Sequence, residues 1–221
     1  MNKGEDNYIE SLEKTIQSFL APVKDIPFPI AIKVLSGYKL LAFDKNSENN
    51  KKTLNFIIKA VTIAGREANK DGIKASRANE VGNKVEPYVK KALNAVGLKA
   101  ETPVAKSGRR KATGYPDIEI TDSIKGTVYL ECKTYNIKNV DTTQRSFYFS
   151  PAKDFKVTKD AFHLLLAYQI ESQERKSGKV FAPKHWRLYT LENLTVDIKH
   201  EFNQSNRNLY NNKSLLAEGN I

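Results

Sequence analysis

Thr113-Gly-Tyr-Pro-Asp117-Ile-Glu-Ile120 and, after a polar break, Val128-Tyr-Leu-Glu131-Cys-Lys133-Thr134 make up the stretch from which the fold can be read. In the second run Thr127, Tyr129, Glu131 and Lys133 share one face of an extended chain, while Val128, Leu130 and Cys132 share the other. In the first run Ile118 and Ile120 alternate with Asp117 and Glu119. The connection from Thr121 to Gly126 is polar and ends in glycine, which predicts a hairpin. Antiparallel pairing of the two runs would bring Asp117, Glu131 and Lys133 within reach of one another. Two carboxylates and a lysine then make a candidate metal-and-lysine site.

Working upstream, Lys106, Arg109, Arg110 and Lys111 surround Gly108 in a basic loop that leads into Asp117. Its position just before the acidic strand points to phosphate contact. The loop lacks the Gly-Lys-Ser/Thr ending of a nucleotide-binding loop, so ATP binding is not supported. Before it, Ser76 to Val96 carries Val81, Val85, Val89, Ala92, Leu93 and Val96 at helical spacing. Ser76 is the expected cap, and Pro87 is expected to bend or break this helix near Asn83 or Lys84. Glu80 and Glu86 lie on it. A second helix is predicted over Thr53 to Asn69 and a third over Glu5 to Leu20, whereas Ile30 to Phe43 fits either helix or strand. Asp44 to Lys52 reads as a loop and as a domain boundary. This gives an N-terminal helical subdomain at 1–50, a core with DNA-contacting elements at 51–202, and a polar tail at 203–221.

Downstream, Ser146 to Ser150 reads as a short aromatic strand, Ala161 to Ile170 as a buried strand with helix as the alternative, and Lys184 to Thr190 as a further strand. Lys153, Lys156 and Lys159 between them are candidates for phosphate contact. Gln144, Arg145 and Asn136 are residue types that read base edges.

The 221 residues are 40% hydrophobic, enough for a packed core, and carry a formal charge of +11. That charge calls for a polyanionic partner, nucleic acid first and an anionic membrane surface as the alternative. No run is long and apolar enough to span a membrane, and the first residues lack the apolar core of a signal peptide, so a soluble cytoplasmic protein is expected. The single Cys132 excludes a disulfide within the chain and a cysteine-rich zinc site, and it is expected to be buried. His163, His185 and His200 have no ligand-like spacing.

Pro116-Asp117 followed by Glu131-Cys-Lys133 resembles the bipartite signature of the PD-(D/E)XK nucleases. Gly82-Asn-Lys-Val-Glu86 resembles the superfamily's helix, on which a glutamate helps to hold metal. The resemblance implies an α/β core, a mixed sheet flanked by helices. It also implies Mg²⁺-dependent cleavage of DNA to leave 5′-phosphates. Asp117 and Glu131 would be metal ligands, joined by Glu86, and Lys133 would stand beside the nucleophile. Hard cations prefer carboxylate oxygens, and positive charge favours the developing oxyanion. Within the superfamily the added N-terminal region and the long region after Lys133 look most like a type II restriction endonuclease. That class implies a homodimer on double-stranded DNA and a companion methyltransferase that protects host sites. Two rival expectations are a junction-resolving or repair nuclease on the same fold, and a non-catalytic DNA-binding module whose acids are only structural. An ion pair on an exposed strand face is the plain alternative for Glu131 and Lys133, and Glu119 reads as an exposed strand residue.

Overall fold

The computed structural model describes residues 3–21, 23–76, 80–122, 126–139, 147, 149, 154–176 and 178–199. The predicted hairpin is its centre. β3 (Ile118–Asp122) and β4 (Gly126–Tyr135) pair antiparallel with Ile118 opposite Leu130 and Ile120 opposite Val128. β2 (Lys99–Glu101) adds antiparallel to β3. On the other side β5 (Phe162–Arg175) runs parallel to β4, and β6 (Gly178–Thr190) runs antiparallel to β5. The five-stranded mixed sheet has the order β2-β3-β4-β5-β6. Parallel pairing of β4 and β5 requires a long crossover, and residues 136–161 supply it.

Two helices cover one face of the sheet. α3 (Glu48–Asp71) buries Ile57, Ala60, Val61, Ala64 and Ala68, spaced three or four residues apart. α4 (Val81–Ala95) buries Val81, Val85, Val89, Ala92 and Leu93 in the same pattern. Against them lie Ile118 and Ile120 of β3, Val128, Leu130 and Cys132 of β4, and Leu164, Leu166, Tyr168 and Ile170 of β5. Each large aliphatic side chain so buried is worth about 1.5–3 kcal/mol. Cys132 is therefore a core residue, as expected, and burial pushes its thiol pKa up. The opposite face of β4 carries Glu131 and Lys133.

The structure revises several expected boundaries. α3 starts at Glu48, so most of the supposed loop Asp44 to Lys52 is its first turn. There Glu48 sits where the helix dipole favours an acid and pairs with Lys51 at 2.8 Å. α4 starts at Val81 behind Glu80, not at Ser76, and runs through Pro87 without a break. The carbonyl that Pro87 leaves without an amide partner belongs to Asn83, which is exposed, so water can satisfy it. The ambiguous stretch after Pro29 divides in two. α2 (Phe28–Ser36) has proline at its start and closes on Gly37, whose φ of 84° favours glycine. An extended segment then follows.

Contacts within the chain define two compact units, one of Pro27–Leu194 and one formed from both chain ends, up to Ile26 and from Thr195. This differs from the expected cut at residue 50. Residues 37–43 are tied into the larger unit: Lys39 N–H donates to Asp160 at 2.7 Å, Leu41 N–H to the Ala161 carbonyl at 2.8 Å, and Phe43 N–H to Glu192 at 2.8 Å. In the smaller unit α1 (Lys3–Leu20) is the expected amphipathic helix, and β1 (Val23–Pro27) pairs with β7 (Thr195–Ile198). The expected tail at 203–221 lies outside the described residues, and no described helix is long and apolar enough to cross a membrane.

Candidate active site

Carrying the β3–β4 register one residue past Ile118 sets Asp117 across from Glu131. The Asp117 carboxylate accepts a hydrogen bond from the Cys132 backbone N–H at 2.8 Å, which fixes it against β4. Glu131 is buried, 4% exposed, and its Oε1 lies 2.7 Å from the Lys133 ammonium. Its Oε2 is buried with no hydrogen-bond partner among the described residues. Burial raises the Asp117 pKa, while the Cys132 N–H and Lys133 oppose that rise. Burial first, and then the charge of Asp117, raise the Glu131 pKa to about 7. Two carboxylates drawn out of water beside each other, one with an unpartnered oxygen, favour positive charge beyond that of Lys133. An all-oxygen donor pair of this kind fits a hard divalent cation such as Mg²⁺, which binds through one or two carboxylates and fills its remaining positions with water and phosphate oxygens. Among the described residues no group of three or more His, Cys, Asp or Glu side chains is arranged to hold a metal ion.

α4 brings Glu86 toward this pair. Its charge acts on Asp117 and Cys132, while its Oε1 is held at 2.8 Å by Lys90 one turn along the helix. Glu80 is turned elsewhere and accepts the Ser76 N–H at 3.1 Å. Glu119 is not the free exposed residue expected, because Lys159 binds its carboxylate at 2.5 Å.

The basic loop is divided. Arg110 bonds Glu101 at 2.6 Å and the Thr102 carbonyl at 2.7 Å, and Lys111 bonds Asp154 at 2.5 Å. Lys106 and Arg109 are exposed, with no side-chain partner among the described residues. Asp154 also accepts from the N–H and the hydroxyl of Ser107, each at 2.8 Å, and these contacts hold its pKa down at about 2. Gln144, Arg145, Lys153 and His200 lie outside the described residues. Of the expected aromatic strand only Phe147 and Phe149 are described, neither in a strand. Both rings stand about the Phe28 ring, at centroid distances of 5.6 and 5.4 Å.

Two settings escaped the sequence: the burial of Lys156, which was expected only as a candidate for phosphate contact, and the partner of His163. Lys156 is buried, 2% exposed, and the charges of Asp117, Glu131 and Glu86 act on it. His163 on β5 is buried beside Tyr115, with its Nδ1 2.6 Å from the tyrosine hydroxyl. Burial lowers its pKa to about 4. Alternation along β5 could have shown that His163 and Leu165 share a face, but nothing local pairs residue 115 with residue 163.

The sequence pattern of the type II restriction enzyme MjaV family matches residues 22–213. The chain belongs to that family. Type II restriction enzyme MjaV of Methanocaldococcus jannaschii is 38% identical over 227 residues, covering 96% of this chain and 96% of that protein. Among solved structures, the tetrameric restriction endonuclease SfiI bound to cognate DNA gives a TM-score of 0.42 at 13% identity, over 68% of this chain and 66% of its own. Membership of the MjaV family agrees with the resemblance carried by Pro116-Asp117 and Glu131-Cys-Lys133.

Proposed function

We propose that this protein is a Mg²⁺-dependent, site-specific endodeoxyribonuclease that hydrolyses double-stranded DNA to leave 5′-phosphates. The carrying observation is the pair of half-buried Asp117 and buried Glu131 with Lys133 at 2.7 Å from Glu131, in a chain of a restriction-enzyme family. Asp117 and Glu131 are the proposed ligands, with Glu86 lending negative charge from α4. When bound there, the cation would lower the pKa of a water and offset charge on the phosphate. Lys133, an ammonium ion-paired with Glu131 and one-third exposed, orients that water and offsets charge developing on the phosphate. Lys106 and Arg109 contact the DNA backbone in this reading, while Arg110 and Lys111 shape the loop that presents them. Gln144 and Arg145 are candidates for base contacts by residue type. One site per chain and two strands to cut imply a homodimer, and a cutter of this class inside a cell implies a methyltransferase that protects host DNA.

Digestion of a sequenced circular plasmid, with Mg²⁺ present or chelated, tests the proposal. Discrete fragments with 5′-phosphate ends, formed only with the metal, are the expected result. Cutting confined to branched DNA would replace it with a junction nuclease. Mg²⁺-indifferent binding without nicks would replace it with a binding module.

A further inference from the structure

Among the described residues Lys156 is the only buried lysine. Its ammonium has three donors, and its hydrogen bond is to the Lys111 carbonyl at 3.4 Å, beyond the usual range for N–H···O. A buried ammonium held so loosely is costly unless charge nearby compensates it. Burial, the larger effect, lowers its pKa, and three carboxylates offset part of that cost: Asp117, Glu131 and Glu86 all favour its charged form. Its backbone is placed firmly. Asp154 clasps Ser107 and Lys111, and Lys106 N–H donates to the Phe155 carbonyl at 3.2 Å, so the segment carrying Lys156 is fastened to the basic loop. A rigid segment thus presents an under-bonded cation at the acidic pair.

Charge shows what that cation is for. Asp117 and Glu131 balance Lys133 and Lys156, while Glu86 is paired with Lys90. A divalent ion on the acids leaves an excess of two positive charges. A phosphodiester passing to a pentacovalent state carries two negative charges. With Lys133 alone the excess would be one.

We propose that Lys156 is a second catalytic lysine, whose ammonium contacts a non-bridging oxygen of the scissile phosphate. The inference rests on the nuclease reading, and its test separates the two. Lys156→Met and Lys156→Gln are compared with the wild-type chain on a duplex carrying the site mapped by plasmid digestion. The first readout is DNA affinity against salt, with metal chelated. Loss of one phosphate contact should reduce the slope of log affinity against log salt by about 0.9. The second is single-turnover cleavage at saturating Mg²⁺ and DNA, which should fall about a hundredfold or more. An unchanged slope overturns the proposal even if cleavage is lost, because Lys156 would then serve only as a counter-ion to the acids. Wild-type-like cleavage by a folded variant overturns it as well. So does failure of both variants to melt cooperatively, which would assign Lys156 to the fold. If the wild type itself does not cut, the nuclease reading fails, while the salt slope still reports whether Lys156 meets phosphate.

Discussion

Glu131 and Lys133 stand two residues apart on one strand, yet their surroundings differ. Glu131 is almost wholly buried, whereas a third of the Lys133 side chain meets solvent. The acid is thus placed to hold something, and the lysine to meet something that arrives. Replacing Lys133 by Ala should lower cleavage about a hundredfold to ten-thousandfold while DNA affinity changes little. Single-turnover kinetics beside a binding titration checks this, and near wild-type cutting would remove Lys133 from the chemistry. Burial also makes two groups titrate in opposition. The Glu131 pKa is raised to about 7, so between about 4.5 and 7 the folded, metal-free chain holds a proton that the unfolded chain has lost, and stability falls as pH rises. The His163 pKa is lowered to about 4, so between about 4 and 6.5 the unfolded chain holds the extra proton, and stability rises with pH. The two effects offset each other in the shared window. With metal chelated, Glu131→Gln should make stability rise with pH more steeply than in wild type, and His163→Gln should make it fall, each by up to about 1.4 kcal/mol per pH unit. Denaturant midpoints from pH 4.5 to 6.5 measure this. Parallel profiles for the three proteins would contradict it.

At the scale of elements, α3 is seated on β5 by a close approach. A Cβ placed on Gly65 would lie 2.9 Å from the Tyr168 ring, and that ring is pinned by its hydroxyl bonding the Val61 carbonyl at 2.5 Å. Gly65→Ala removes a helix-weakening glycine, a gain of about 1 kcal/mol, but overpacks a fixed ring at a cost of about 1–3 kcal/mol. The net should be destabilising by up to about 2 kcal/mol, visible as a lower urea midpoint with unchanged slope. A rise in the midpoint would mean that the ring gives way. Such contacts mark where the sequence stops being informative. The hairpin, Asp117 opposite Glu131, and the buried Cys132 were legible because strand alternation and register are local properties. The continuity of α4 through Pro87 was not, since it depends on Asn83 facing solvent. Nor was the buried setting of Lys156 or the Tyr115–His163 pair, because the β4–β5 crossover brings Lys156 toward acids 25 and 39 positions away and His163 to a tyrosine 48 positions away. The basic loop was legible as charge, but not as two paired and two open cations, because Glu101 and Asp154 reach it from different elements.

For the whole molecule, the open question is how one site per chain cuts two strands. The proposed site, a single Asp117–Glu131 pair with Lys133, can attack one phosphodiester at a time. Double-strand cleavage therefore needs either two copies on one DNA or two sequential visits by one copy. The homodimer proposal makes these distinguishable. Two differently tagged chains, one wild type and one carrying Lys133→Ala, can be co-expressed and the mixed species isolated by both tags. If paired sites act in concert, this species should open supercoiled plasmid to the nicked circle and stall there, because only one strand meets an intact site. The wild-type dimer should give linear product with little nicked intermediate. Sedimentation with and without DNA reports the number of chains in each species. Linear product from the mixed species at the wild-type rate, or a wild-type chain that stays monomeric on DNA while making double-strand breaks, would show that each copy cuts both strands in turn.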